Sequence, residues 1–223
     1  MGKKILPAFY RRRDTIEIAR DLLGKLLVVP DATGRRVSGM IVETEAYLGT
    51  TDRAAHSYGG RRTARNEATY LPGGHVYVFF IYGMYYQLNI VTGPAERPHV
   101  VLIRALEPVE GIEIMRERRS VPRSAATGVS RALMPDRNLT SGPGKLCIAL
   151  AIDRSLNGEA LTGDRIWLED HQSLADDEIA IGKRIGIDYA GEDAEKPWRY
   201  WKKASDFVSR LRRGTARRTG SRV

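Results

Sequence analysis

At 223 residues with 42% hydrophobic side chains, the chain can bury a substantial core as one large domain or two small ones. Its single cysteine, Cys147, excludes an internal disulfide and a zinc ribbon built on Cys pairs, and no apolar run approaches the roughly 20 residues that cross a bilayer. The net charge of +9 suggests a polyanionic partner, although Arg210, Arg212, Arg213, Arg217, Arg218 and Arg222 supply six of those charges, which leaves +3 (9 − 6) for the rest.

The N-terminus MGKKILPAFYRRR is charged but lacks the apolar stretch of a signal peptide, so a cytoplasmic location is expected, nuclear in a eukaryote or on the nucleoid in a bacterium. Asp14 with Glu17 three residues on forms a capping signal ahead of Ile16, Ala19, Leu22 and Leu23, which predicts a helix over about 15–23 ending at Gly24. Strand-like segments follow at 26–30, 38–46, 76–82, 84–91 and 100–106, rich in β-branched and aromatic residues and separated by turns such as DATG and GPAERP. Helices are predicted within 109–119 and 144–152, the second with Ser141 as cap and Pro143 in its first turn. DRIWLED and IGKRIGI, at 164–170 and 181–187, read as further strands.

No repeat or linker divides the chain before its end. The expected organisation is one domain over 1–208 and a disordered basic tail over 209–223. The mixed order of elements predicts an α+β fold, with a largely antiparallel curved sheet flanked by helices and a protruding β-hairpin. The hairpin is VYVFFIYGMYYQLNIV, 76–91, which crowds six aromatic residues around a Gly-Met step, and of these Tyr77, Phe80, Tyr85 and Tyr86 are expected in the core.

The segment IVETEAYLGTTDRAAHS carries the main chemical lead. Period-two geometry puts Glu43 and Glu45 on one face of a strand and Thr44 on the other. Such a pair usually marks a strand running out to solvent. Here Tyr47 and His56 bracket an irregular stretch containing Gly49, able to set an aromatic ring and an imidazole around a carboxylate. Asn89 and Arg104 sit in strands that should be mainly apolar, and a buried arginine needs a partner, for which Glu43 and Glu45 are available. That arginine serves either a structural ion pair or a catalytic carboxylate. The four histidines, His56, His75, His99 and His171, show no ligand spacing, so no metal and no cofactor are expected. No GxxxxGK(S/T) loop, GxSxG elbow, zinc-deaminase signature or GxGxxG occurs.

Taken together, ETEAYLG, AAHSYGGRRTARN, YVFFIYGMYYQLNIV, LIRALEP and SGPGKLC resemble the alkyladenine (3-methyladenine) DNA glycosylase family, in the family's motif order, over about 5–208. The resemblance implies a single-domain monofunctional enzyme that acts on double-stranded DNA, and since nothing in the sequence calls for a dimer a monomer is expected. It flips an alkylated or deaminated purine from the duplex and hydrolyses its N-glycosidic bond without metal. Glu45 matches the general base, Arg104 the arginine that shares the attacking water, and the backbone carbonyl of Ile185 a third water contact. Tyr47, His56 and Phe79 match the base pocket, and Asn89 an asparagine that crowds the guanine amino group. Tyr82 matches the side chain that fills the gap in the duplex, with Met84 beside it, and Arg61 and Arg65 match arginines near the DNA backbone. Phe79 departs from the usual tyrosine, and VTGPAERPHV is about two residues longer than in vertebrate relatives. Two other readings stay open. One is a metal-dependent nuclease using Glu43, Glu45 and Asp52 as oxygen ligands, and the other a non-catalytic module that stacks single-stranded bases on the hairpin aromatics.

Overall fold

Asp14 caps the first substantial helix: its carboxylate accepts from the N–H groups of Ile16 and Glu17, which have no partner inside the helix. The computed structural model describes residues 2–81, 83–120 and 134–209. In it a one-turn helix α1 (Pro7–Tyr10) precedes α2 (Thr15–Asp21). The turn after α2 closes at Gly24, which adopts φ +83° and would place a side chain against the Gln172 carbonyl at 2.5 Å.

The strands are β1 (Leu26–Val28), β2 (Ser38–Tyr47), β3 (Val76–Ile81), β4 (Tyr85–Thr92) and β5 (His99–Glu110). After them come helices α3 (Ile112–Arg119) and α4 (Pro143–Ala149), then β6 (Trp167–Glu169), β7 (Ile179–Gly182) and β8 (Arg199–Lys202). All eight strands pair antiparallel in one sheet ordered β3-β4-β5-β2-β1-β6, with β8 on β2 and β7 on β8. The α+β architecture expected from the sequence is therefore present.

The sheet is buried on both faces, with different chemistry on each. Val76, Val78, Leu88, Ile90, Val101 and Ile103 alternate onto one face and pack against Ile18 and Ala19 of α2 and Leu146 and Cys147 of α4. The opposite face carries Tyr77, Phe79, Val91 and Val100, packed with Ala68 and Tyr47. The β2–β5 register passes over Val42 and then Arg104, pairing Ile41 with Leu106, Glu43 with Ala105 and Thr44 with Ile103. Such bulges re-aim side chains, and here they lie at the charged residues.

Several expectations need correcting. IGKRIGI is not a strand throughout: β7 stops at Gly182, and 183–187 leaves the sheet through Gly186 at φ +76°. Arg184 breaks the apolar alternation because its side chain is buried on a distant carboxylate, as described below. Ser141 does not cap α4; Gly142 is the capping residue and makes no side-chain bond, while Pro143 does occupy the first turn. DRIWLED contributes only Trp167–Glu169, and β8 has no counterpart in the sequence reading. At the β3–β4 tip, Phe80 and Tyr85 are exposed rather than core, while Met84, expected at the tip, is exposed there. Tyr82 and the arginines from 210 onward lie outside the described residues.

His99, at the start of β5, sets a pH limit on the fold. Its Nε2 accepts from Arg97 Nε at 3.2 Å, which leaves Nδ1 to donate to Thr15 Oγ1 at 3.1 Å. Burial, helped by the Arg97 charge and opposed by Asp52, lowers its pKa from 6.5 to about 4. The unfolded chain thus takes up this proton first as pH falls, so the stability contribution is complete above pH 6.5 and is lost progressively toward pH 4. Moving from pH 7.5 to 5.5 should cost about 1.4 kcal/mol from this one group. Urea unfolding at the two pH values checks this: the midpoint should drop at pH 5.5, and the drop should shrink in His99→Gln.

Candidate active site

Strand β2 delivers both acidic residues to the same face. Glu43 and Glu45 are fully buried, while Thr44 points the other way and donates to the Ala19 carbonyl at 2.7 Å. Two buried carboxylates would repel, and the arginine from the β5 bulge lies between them. Arg104 Nε donates to Glu43 Oε1 at 2.9 Å, and its Nη1 lies 3.1 Å from Glu45 Oε1.

The two carboxylates then differ. Glu43 also accepts from Arg199 Nη1 at 3.0 Å and from the Ser209 N–H and hydroxyl at 2.7 and 2.9 Å, so four protein donors hold it. Glu45 Oε1 accepts from the Ile185 N–H at 2.7 Å as well as facing Arg104, and Oε2 accepts from the Tyr47 hydroxyl at 2.8 Å. A carboxylate has about four acceptor positions, which leaves one on Oε2. Burial, and next the Glu45 charge, hold the Tyr47 phenol pKa well above its ordinary value, so Tyr47 is a neutral donor.

A second buried pair brings Ile185 to this point. Arg184 donates to Asp52 through Nη1 at 2.5 Å and Nη2 at 2.8 Å, with both side chains fully buried. Its guanidinium also bonds the Ala46 and Asp193 carbonyls and lies 4.6 Å from the Tyr47 ring centroid and 4.9 Å from that of Trp198. Asp52 is completed by the N–H groups of Leu48 and Ala54. The irregular segment after Tyr47 is thereby tied to 183–187, and the Ile185 N–H is aimed at Glu45.

Above this floor opens a pocket lined by Tyr47, His56, Tyr77, Phe79, Asn89, Arg104 and Ile185, among others. Tyr77 and Phe79 stack at 5.1 Å with 26° between their planes, and His56 meets Phe79 edge-on at 4.6 Å. His56 Nδ1 shares a 2.8 Å hydrogen bond with the Tyr77 hydroxyl. Desolvation of the ring, then repulsion from Arg65 and Arg61, lowers the His56 pKa from 6.5 to about 4. Because the residue is exposed at the pocket mouth, solvent moderates the size of that shift and leaves its sign. The neutral imidazole therefore dominates at pH 7. Asn89 is buried and donates to the Tyr77 carbonyl at 3.2 Å.

Arg65 caps the hairpin side of the mouth, donating to the Phe80 carbonyl at 3.0 Å and lying 5.5 Å from the Phe79 ring centroid. Arg61 is exposed beside it, its carbonyl held by Asn66 and Tyr70. Arg62 is committed elsewhere, to Glu67 and Glu96. Tyr77, expected in the core, is buried there and also forms part of the pocket wall. Its period-two relation to Phe79 and Asn89 across the hairpin was the available signal. Asp52 and Arg184 lie 132 positions apart, and nothing local in the sequence relates them. The oxygen ligands of the nuclease reading are dispersed onto guanidinium groups, Glu43 and Glu45 on Arg104 and Asp52 on Arg184. Among the described residues no group of three or more His, Cys, Asp or Glu could hold a metal ion.

A buried carboxylate paired with arginine beneath an aromatic pocket, beside exposed arginines, is an arrangement suited to hydrolysis on a flat base attached to a polyanion. The family model for methylpurine-DNA glycosylase matches residues 8–206, and the chain belongs to this family. A protein of Clostridium acetobutylicum is 47% identical over 94% of this chain and 99% of its own length, and one of Desulfitobacterium hafniense 48% identical over 93% and 98%. One of Clostridium novyi is 46% identical over 93% and 99%. All three carry the name "Putative 3-methyladenine DNA glycosylase". The chain is thus an enzyme of the DNA glycosylase class.

The Asp52–Arg184 pair yields a stability prediction. Asp52→Ala leaves a buried guanidinium without its carboxylate, a change that costs roughly 3–5 kcal/mol. Urea denaturation should show a loss of this size, and an unchanged midpoint would mean that the pair does not anchor the segment.

Proposed function

We propose that this enzyme flips alkylated or deaminated purines out of duplex DNA and hydrolyses their N-glycosidic bond with a water activated by Glu45, initiating base excision repair. The observation that carries the reading is Glu45 itself: fully buried below an aromatic pocket, paired with Arg104, accepting from the Ile185 N–H and the Tyr47 hydroxyl, and with an acceptor position on Oε2 that no group among the described residues fills. The names of the relatives point to 3-methyladenine as one substrate.

Duplex DNA hides the glycosidic bond, so the target must be unstacked at a cost of a few kcal/mol, least for bases that damage has already loosened. Tyr82 and Met84 at the hairpin tip would fill the vacated space, as inserted side chains do in kinked duplexes. Arg61 and Arg65 at the pocket mouth would hold phosphates without reading sequence. The flipped base would enter between Tyr47, His56 and Phe79. A purine alkylated at N3 or N7 is cationic, and each ring face offers it roughly 0.5–2 kcal/mol of cation–π attraction. Asn89 would crowd the amino group of an undamaged guanine.

As the bond breaks, the sugar gains oxocarbenium character. The negative Glu45 would stabilise that charge and take the proton of the water, with Arg104 and the Ile185 carbonyl as the other water contacts. A cationic purine leaves neutral and needs no acid. For a neutral purine such as hypoxanthine, the neutral state of His56 at pH 7 favours water as the source of the proton. No metal or cofactor takes part in this scheme.

Glu45→Gln should lower single-turnover excision of 7-methylguanine from duplex DNA by roughly 10²–10⁴-fold or more, while binding of the damaged duplex changes by no more than a few-fold. Excision at the wild-type rate by this variant would refute the assignment.

A further inference from the structure

Most polar groups lining the pocket are already committed within the protein. The Tyr47 hydroxyl is bound to Glu45, the Tyr77 hydroxyl to His56, the Thr69 hydroxyl to the Asn66 carbonyl, and Arg104 to Glu43, Glu45 and Ser209. Gln87 is different. It lines the pocket, is half-buried, and its side-chain amide has no hydrogen-bond partner among the described residues.

Its place on the sheet says what it can reach. Gln87 pairs with Phe79 across β3–β4, so the two side chains share the pocket face. On the other side the β4–β5 pairing ends at Asn89 and Leu102, two residues short of Gln87, and Gln87 and Arg104 both line the pocket. The amide thus stands beside the ring on which the base would stack and lines the same pocket as the guanidinium paired with Glu45. It offers an N–H donor as well as a carbonyl, and a base entering the pocket displaces the water that otherwise satisfies it.

We infer that Gln87 is a specificity-determining residue that selects for neutral damaged purines, its amide N–H donating to an acceptor on the ring of the leaving base. This rests on the glycosylase reading above. When the C1′–N bond of a neutral purine breaks, the electron pair stays on the ring, which is anionic until it takes a proton from water. Oxygen of the attacking water bonds to C1′, and Glu45 receives the water's proton. A donor aimed at the departing ring meets a charge that grows during the reaction, so it accelerates the step. A cationic alkylpurine leaves neutral and gains little from the same contact.

The test compares wild type, Gln87→Leu and Gln87→Met in single-turnover excision from otherwise identical duplexes carrying one hypoxanthine or one 7-methylguanine. Both variants should excise hypoxanthine at least about 10-fold more slowly, since a single well-placed donor is worth about that much, and 7-methylguanine within about two-fold of wild type. The retained 7-methylguanine rate shows that the variants fold. Equal slowing of both bases, no slowing of either, or a wild type that removes 7-methylguanine but no neutral purine overturns the inference and leaves the glycosylase reading intact. A wild type that releases neither base fails at the level of the proposed function instead.

Discussion

Placing two carboxylates side by side inside a protein is costly unless a cation joins them, and the fold of this chain is arranged around that requirement. Glu43 and Glu45 reach one buried face because a strand alternates, and Arg104 reaches them because a bulge turns it toward them. Ser209, at the end of the described chain, folds back to complete Glu43. One guanidinium therefore joins Glu43, which four protein donors hold, to Glu45, which lies beneath the pocket. The same ion pair that stabilises the sheet also orients the group assigned to the chemistry.

The Asp52–Arg184 pair performs the equivalent task for the irregular backbone. Loops around a site must be fixed if the site is to hold its geometry, and burial of a bidentate charge pair fixes two loops at once. It holds the segment after β2 against 183–187, with Tyr47 and Trp198 on the guanidinium. The pocket floor is consequently fixed, the exposed side chains of Arg61 and Arg65 stand at its mouth, and Met84 is exposed at the hairpin tip.

The sequence revealed those parts of the site that lie within single elements. Strand alternation put Glu43 and Glu45 on a common face, and an arginine inside an apolar strand demanded the carboxylates it in fact meets. The Asp14 cap and the order of the strands were likewise local. What could not be read depends on contacts between remote segments. The strand pattern of IGKRIGI was a local preference overridden by the reach of Arg184 for Asp52. Phe80 and Tyr85 share the composition of core residues, yet the hairpin carries them past the edge of the packed layers. Tyr77 satisfied the expectation of a buried aromatic while its hydroxyl served the pocket through His56. The vacant amide of Gln87 becomes visible only when every neighbouring polar group has been matched to its partner.

The central claim is that this pocket cuts a base from its sugar and leaves the strand whole. Incubating the full chain with a duplex containing one 7-methylguanine or one hypoxanthine, in the presence of a chelator, tests it most directly. The account predicts release of free purine and a strand that breaks only after alkali treatment. Strand cleavage without alkali that disappears with the chelator, or binding with no base released, would contradict it.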